Sequence, residues 1–178
     1  MKKLFIPQKL NRKQLCTLAL LVAVTVVLSV FCTIRVGNAI KIPLKFISVF
    51  LAAALFGPWY GGLVCAMGDI LNAILVPIGP PIPMLTVLEF VSGFLFGLFF
   101  YANNDKNYIL RALICTTLLF LSDMLLTTAV LTSVGYFPNF KTAFITRIAA
   151  GIIKWVLQFS VLVIFKKHLT ALRKVLKK

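Results

Sequence analysis

The stretch AFITRIAAGIIKWVLQ, residues 143–158, decides the fold. It is apolar enough to lie in lipid, yet it carries Arg147 and Lys154. Ala143, Arg147, Gly151, Lys154 and Gln158 recur at spacings of four, four, three and four. In a helix that period puts small and polar side chains on one face, opposite the Ile, Val and Phe residues. A charged side chain inside a membrane span costs about 2.5–3.5 kcal/mol on insertion scales, so it normally faces a bundle interior or a watery cavity. The stretch reads as a membrane helix with a polar inner seam.

The rest of the chain agrees. Of its 178 residues 61% are hydrophobic, and the mean hydropathy is +1.01; a soluble domain is about half apolar. Nineteen Lys and Arg against four acids give a net charge of +15. In a soluble chain that balance would point to nucleic acid, but here the bases flank lipid-length runs. Lys2, Lys3, Lys9, Arg12 and Lys13 precede the first apolar run; Lys166, Lys167, Arg173, Lys174, Lys177 and Lys178 follow the last. Basic flanks of this kind mark cytoplasmic surfaces in contact with anionic headgroups. Cys16, Cys32, Cys65 and Cys115 all fall in apolar runs without a CxxC pair and read as packing residues. The first run is longer than a signal-peptide core and has no A-x-A-like site after it, so it reads as a retained helix.

A spanning helix takes about 20 apolar residues, fewer where it stops at a loop or cavity. On that ruler the chain is an all-α integral membrane protein with six transmembrane helices, at approximately 15–34, 43–57, 59–76, 84–101, 109–133 and 141–165. Residues 1–14 form a basic N-terminal segment, 15–165 the membrane domain and 166–178 a basic tail. With N and C termini cytoplasmic, the loops at 35–45, 77–83 and 134–140 face outward. Gly57-Pro58 and Gly61-Gly62 predict a tight hairpin between the second and third helices.

Five charged residues lie inside the spans, away from their ends: Asp69, Glu89, Asp123, Arg147 and Lys154. At about 1.5 Å rise per residue, Arg147 and Asp123 fall at one height, about 9 Å below the outer end, and can pair. Glu89 falls in the same upper layer; Lys154 lies deeper, near the height of Asp69. These charges either hold the bundle together as ion pairs or line a binding site in its outer half, and spacing leaves both readings open. In the second, Arg147, Lys154 and the outer-loop bases Arg35 and Lys45 attract an anion. Asn72, Thr127 and Thr146 could add hydrogen bonds or serve as interhelical contacts.

The usual parts of an enzyme are missing. The one histidine, His168, sits in the basic tail, which excludes a His-based triad and an intramembrane zinc centre. No G-x-x-x-x-G-K-[ST] occurs, so the chain has no P-loop of its own for ATP. Six helices without a repeat are few for a self-contained alternating-access carrier, and Ala19-xxx-Ala23 offers a partner a small-xxx-small face. A proton-coupled exporter using Asp69 or Asp123 and a structural membrane-assembly protein stand as the other classes.

Taken together, Ala19-xxx-Ala23, Phe56-Gly57-Pro58 followed by Gly61-Gly62, Gly68-Asp69-Ile70-Leu71 and the Gly/Pro-rich loop before the fourth helix resemble the S components of energy-coupling factor (ECF) vitamin transporters. The chain is most similar to the folate-specific branch, in which a Leu/Phe-Pro-x-Gly-Pro loop joins helices three and four; Pro81-Ile82-Pro83-Met84-Leu85 departs from that branch's aromatic-containing stretch. The resemblance implies a bacterial plasma-membrane protein that captures a vitamin from outside and docks on a transmembrane coupling subunit. Two ATPase subunits use the ATP, and this chain carries no cofactor and no metal. It also implies that Ala19 and Ala23 contact the coupling subunit, and that the loop with Pro77, Gly79, Pro80 and Pro81 gates the site. Substrate-binding candidates are Arg35, Lys45, Asp69, Asn72, Glu89, Asp123, Arg147 and Lys154. Folate, with two carboxylates and a pterin rich in N–H donors, suits this set of cations and acids. Pantothenate and biotin are anions too and stay open.

Overall fold

A computed structural model of the chain describes residues 11–36, 40–76, 82–101, 107–135 and 139–176, and within 33–36, 40–43 and much of 167–176 the backbone alone. Helix α1 (Arg12–Val30) starts at a capping box: Asn11 accepts from the Arg12 N–H at 2.8 Å, and the Gln14 side chain accepts from the Asn11 N–H at 3.0 Å. It stops four residues earlier than hydropathy predicts.

Beyond it, β1 (Thr33–Val36) pairs antiparallel with β2 (Ile40–Pro43), with Arg35 opposite Lys41. Apart from this short hairpin, which hydropathy does not mark, the described elements are helical, as expected. Thr33, Ile34, Val36, Ile40 and Ile42 are β-branched and favour a pleated ribbon over a helix once the chain leaves the bundle.

Helix α2 (Phe46–Phe56) and α3 (Pro58–Leu75) meet at Gly57, whose φ of 104° lies in the left-handed region that favours glycine, and Pro58 opens α3 with its φ already helical. Helix α4 (Pro83–Phe100) also begins on a proline. The fifth rod is continuous from Tyr108 to Ser133: α5 (Tyr108–Ser122), a π turn (Asp123–Thr127) and α6 (Thr128–Ser133). Helix α7 (Phe140–Leu176) runs eleven residues past the predicted end at 165. Nothing after Gly151 is a Gly or Pro, and the Lys, Leu, Ala and Arg that follow are good helix formers, so the change from apolar to basic does not stop it.

Among the described residues four helices are long and apolar enough to cross a membrane, Arg12–Val30, Pro83–Phe100, Tyr108–Ser133 and Phe140–Lys166, while α2 is a shorter apolar helix. Their outer faces carry exposed Leu20, Val27, Ile145 and Ile164, as a lipid-facing surface requires. The inner packing relies on small residues. Side chains at Gly61 and Gly93 would collide with the facing backbone, so α3 and α4 touch nearly backbone to backbone. Gly68 lies against Thr25, and the Thr25 hydroxyl donates to Ser48 Oγ at 3.0 Å, tying α1 to α2 and α3.

Below these contacts Phe50 packs edge-on against Phe96 and Phe100, with Tyr108 next to Phe100. The Tyr108 hydroxyl donates to the Leu162 carbonyl at 2.7 Å, fixing α5 to α7. Successive rods alternate in direction. Gly57, Tyr101, Tyr108 and Lys166 therefore share one end of the bundle, and the β-hairpin marks the other.

Candidate functional site

Between α2, α3, α4, the fifth rod and α7 lies a cavity of about 180 Å³, lined at one level by Lys45, Asp69, Glu89, Asp123 and Lys154. Two charge clusters face each other across it. In the first, Lys45, just before α2, reaches Glu89 of α4 at 2.9 Å and Asp69 of α3 at 3.7 Å. Thr86 donates to Asp69 at 2.9 Å, and the Cys65 thiol donates to Glu89 at 3.2 Å. In the second, Asp123 is held by Lys154 at 2.8 Å and by Arg147 at 3.3 Å, both from α7. The other arm of Arg147 donates to Thr128 Oγ1 at 3.1 Å.

The helical period of α7 puts Arg147 and Lys154 on one face two turns apart, and Asp123 sits between them. The π turn widens the fifth rod at this level, as such turns often do at functional sites. Asp123 and Thr127 line the cavity there, while Thr128 meets Arg147. Gly151 makes room for the Phe120 and Met124 side chains, bringing α7 close to the fifth rod.

Five of the eight expected binding residues thus line one cavity. Arg147 is not among the lining residues; it holds Asp123 from behind. Asn72 lies one turn beyond Asp69 on α3 and outside the lining. Arg35 is in β1, and its side chain is outside what the structure describes, as are Pro77, Gly79, Pro80 and Pro81. Ala19 and Ala23 are exposed on α1, away from the cavity.

The pairing of Arg147 with Asp123 is as expected. Lys154, however, joins Asp123 rather than Asp69, and Glu89 takes Lys45. Rise per residue placed the Lys154 backbone below Asp123, but its long side chain reaches the Asp123 carboxylate, and which acid lies within reach is decided by which helices are neighbours.

Other lining residues went unread as site residues: Cys65, Ser92, Phe96, Phe120 and Trp155. Cys65, read as packing, turns its thiol to the Glu89 carboxylate instead. Gln158 is the exception in that the stripe on α7 had already marked it.

Chemically, three carboxylates and two ammonium groups line the cavity, with the Arg147 guanidinium behind them. Each cation already has an acid. A simple anion would have to displace a carboxylate, whereas a ligand that brings both anionic oxygens and N–H donors can exchange partners with both kinds of group.

A sequence model of the S component of the ECF-type riboflavin transporter matches residues 9–174. The chain belongs to this family of ECF-type S components. It is therefore a transporter component of a multi-pass membrane protein class and not an enzyme. The folate transporter FolT of Clostridium novyi (strain NT) is 32% identical over 97 residues, 54% of this chain and 55% of that one. The chain thus spans about half the length of the curated relative it matches. A crystal structure of FolT bound with folic acid superposes with a TM-score of 0.78 at 25% identity, covering 89% of this chain and 95% of that one. For an S component, a cavity enclosed by the bundle is where a small ligand belongs.

Proposed function

We propose that this chain is the folate-binding S component of an ECF-type importer. One observation supports the choice of ligand above the rest: a cavity of mixed sign, with one cation between two acids on one wall and one acid between two cations on the other. Folate offers the matching pair, a neutral pterin bearing N–H donors and a tail with two carboxylates. The superposition on a FolT structure that holds folic acid agrees with it.

In this reading the bacterial plasma membrane holds six spans, with α2 and α3 as the short ones and both termini in the cytoplasm, so the β-hairpin end faces outward. Folate enters from that side. Glu89 and Asp69 accept from the pterin's amino group, while Lys154, backed by Arg147, takes a carboxylate. Arg35 and Lys45 draw the anion toward the site, and the loop with Pro77, Gly79, Pro80 and Pro81 closes over it. Ala19 and Ala23, being small and exposed, leave α1 open to close approach by the coupling subunit. Two ATPase partners supply the energy, and the chain needs no cofactor of its own.

The test is native mass spectrometry of the detergent-purified chain, followed by equilibrium binding of folic acid, riboflavin, pantothenate and biotin. Folic acid is expected to bind most tightly. Preference for riboflavin, the ligand in the description of the matching family, would overturn the assignment of substrate while leaving the S component intact.

A further inference from the structure

The charged tier of the cavity is internally paired, but the wall next to it is not. Gln158 is 6% exposed, lines the cavity and makes no side-chain hydrogen bond among the described residues. Trp155, one turn back on the same face of α7, lines it too, and its indole Nε1 is buried without a hydrogen-bond partner. Buried polar groups are nearly always hydrogen-bonded, so the Trp155 indole, with the Gln158 amide beside it, has capacity the described residues do not use.

Their neighbours define the shape. Beyond Glu89 on α4 come Ser92 and Phe96; before Asp123 on α5 come Leu119 and Phe120. The antiparallel rods put all of these on the side of the charged tier away from the β-hairpin. Trp155 itself is held by stacking on Phe159, rings 15° apart with centroids at 6.4 Å. The result is a slot with aromatic walls and one polar wall.

We infer that Trp155 and Gln158 form the recognition edge for the flat ring of the ligand, and that the edge reads a cyclic amide. A glutamine side chain presents one donor and one acceptor side by side, the complement of a ring C(=O)–N–H edge. The indole N–H adds a donor for a further ring acceptor. The ring then lies farthest from the hairpin end, with its acidic tail running back past Lys154 toward Arg147. This inference rests on the folate reading and assigns the residues that select its ring.

The test compares folic acid with p-aminobenzoylglutamate, its tail without the ring, on the full-length chain in detergent. Gln158→Leu removes both the donor and the acceptor that face the ring, so folic acid should bind about tenfold or more weakly while the ringless tail keeps its affinity. Trp155→Phe should weaken folic acid about fivefold, the loss expected for one neutral hydrogen bond. Unchanged folic acid affinity in Gln158→Leu, or equal weakening of both ligands, overturns the inference and leaves folate binding untouched. Failure of the wild-type chain to bind folic acid overturns the folate reading itself, and the ring assignment with it.

Discussion

The two charge clusters are built in opposite senses. Around Lys45 one cation serves two acids, Glu89 and Asp69; around Asp123 one acid serves two cations, Lys154 and Arg147. The first joins the start of α2 to α3 and α4, and the second joins the fifth rod to α7. Each is unbalanced alone, by one negative charge in the first and one positive in the second, and they balance only as a pair. A cavity between such walls is neutral overall but strongly polar across its width. It thus favours a ligand with separate donor and acid ends over one that carries charge of a single sign.

The central residue of each cluster is where the comparison breaks most easily. Asp123→Ala leaves two cations without their acid, and breaking a buried pair from one side costs on the order of 3 kcal/mol. We expect the largest loss of thermal stability in detergent from this variant, and a melting temperature within a degree of wild type would show the second cluster to be solvated and dispensable. Arg147→Glu reverses the balance of the second wall, and folic acid binding should fall at least tenfold. Arg111→Glu, on a residue outside the cavity lining, should stay within about twofold in the same titration. Equal losses would remove Arg147 from any role in holding the site.

Lys45→Gln keeps a donor beside Glu89 but removes the charge, and should weaken binding about fivefold, mostly by slower association at low salt. A salt-independent change in off-rate alone would instead make Lys45 a structural tie. Smallest of all is the effect expected from replacing Pro80 and Pro81 with glycines, which tests the gating proposed for their loop. Dissociation should speed up about two- to fivefold, in line with the backbone freedom gained, and an unchanged off-rate would reduce the loop to a connector.

Much of this was legible in the chain. The spacing of Arg147, Lys154 and Gln158 shows a polar face on α7, because a helix repeats its faces every 3.6 residues. The buried acids mark a polar interior, because lipid does not tolerate them singly. Trp155 was not legible: an aromatic residue in an apolar run looks the same whether its N–H faces a cavity or a neighbouring helix. The hairpin was missed for a related reason, since Thr33 and Ile34 continue the hydropathy of α1 while their branched side chains favour a strand.

What the sequence determined by itself was the class of molecule and the order of its helices, since hydropathy is local; rise per residue put Arg147 level with Asp123 but left Lys154 and Asp69 in a deeper layer, whereas Lys154 in fact meets Asp123. Tertiary structure alone decided the partners. Lys154 meets Asp123 and not Asp69 because α7 packs on the fifth rod. Glu89 meets Lys45 because glycine contacts bring α4 against α3 and α2. The direction in which a side chain finds its neighbour depends on which helices are adjacent, and adjacency is settled by packing across the whole bundle.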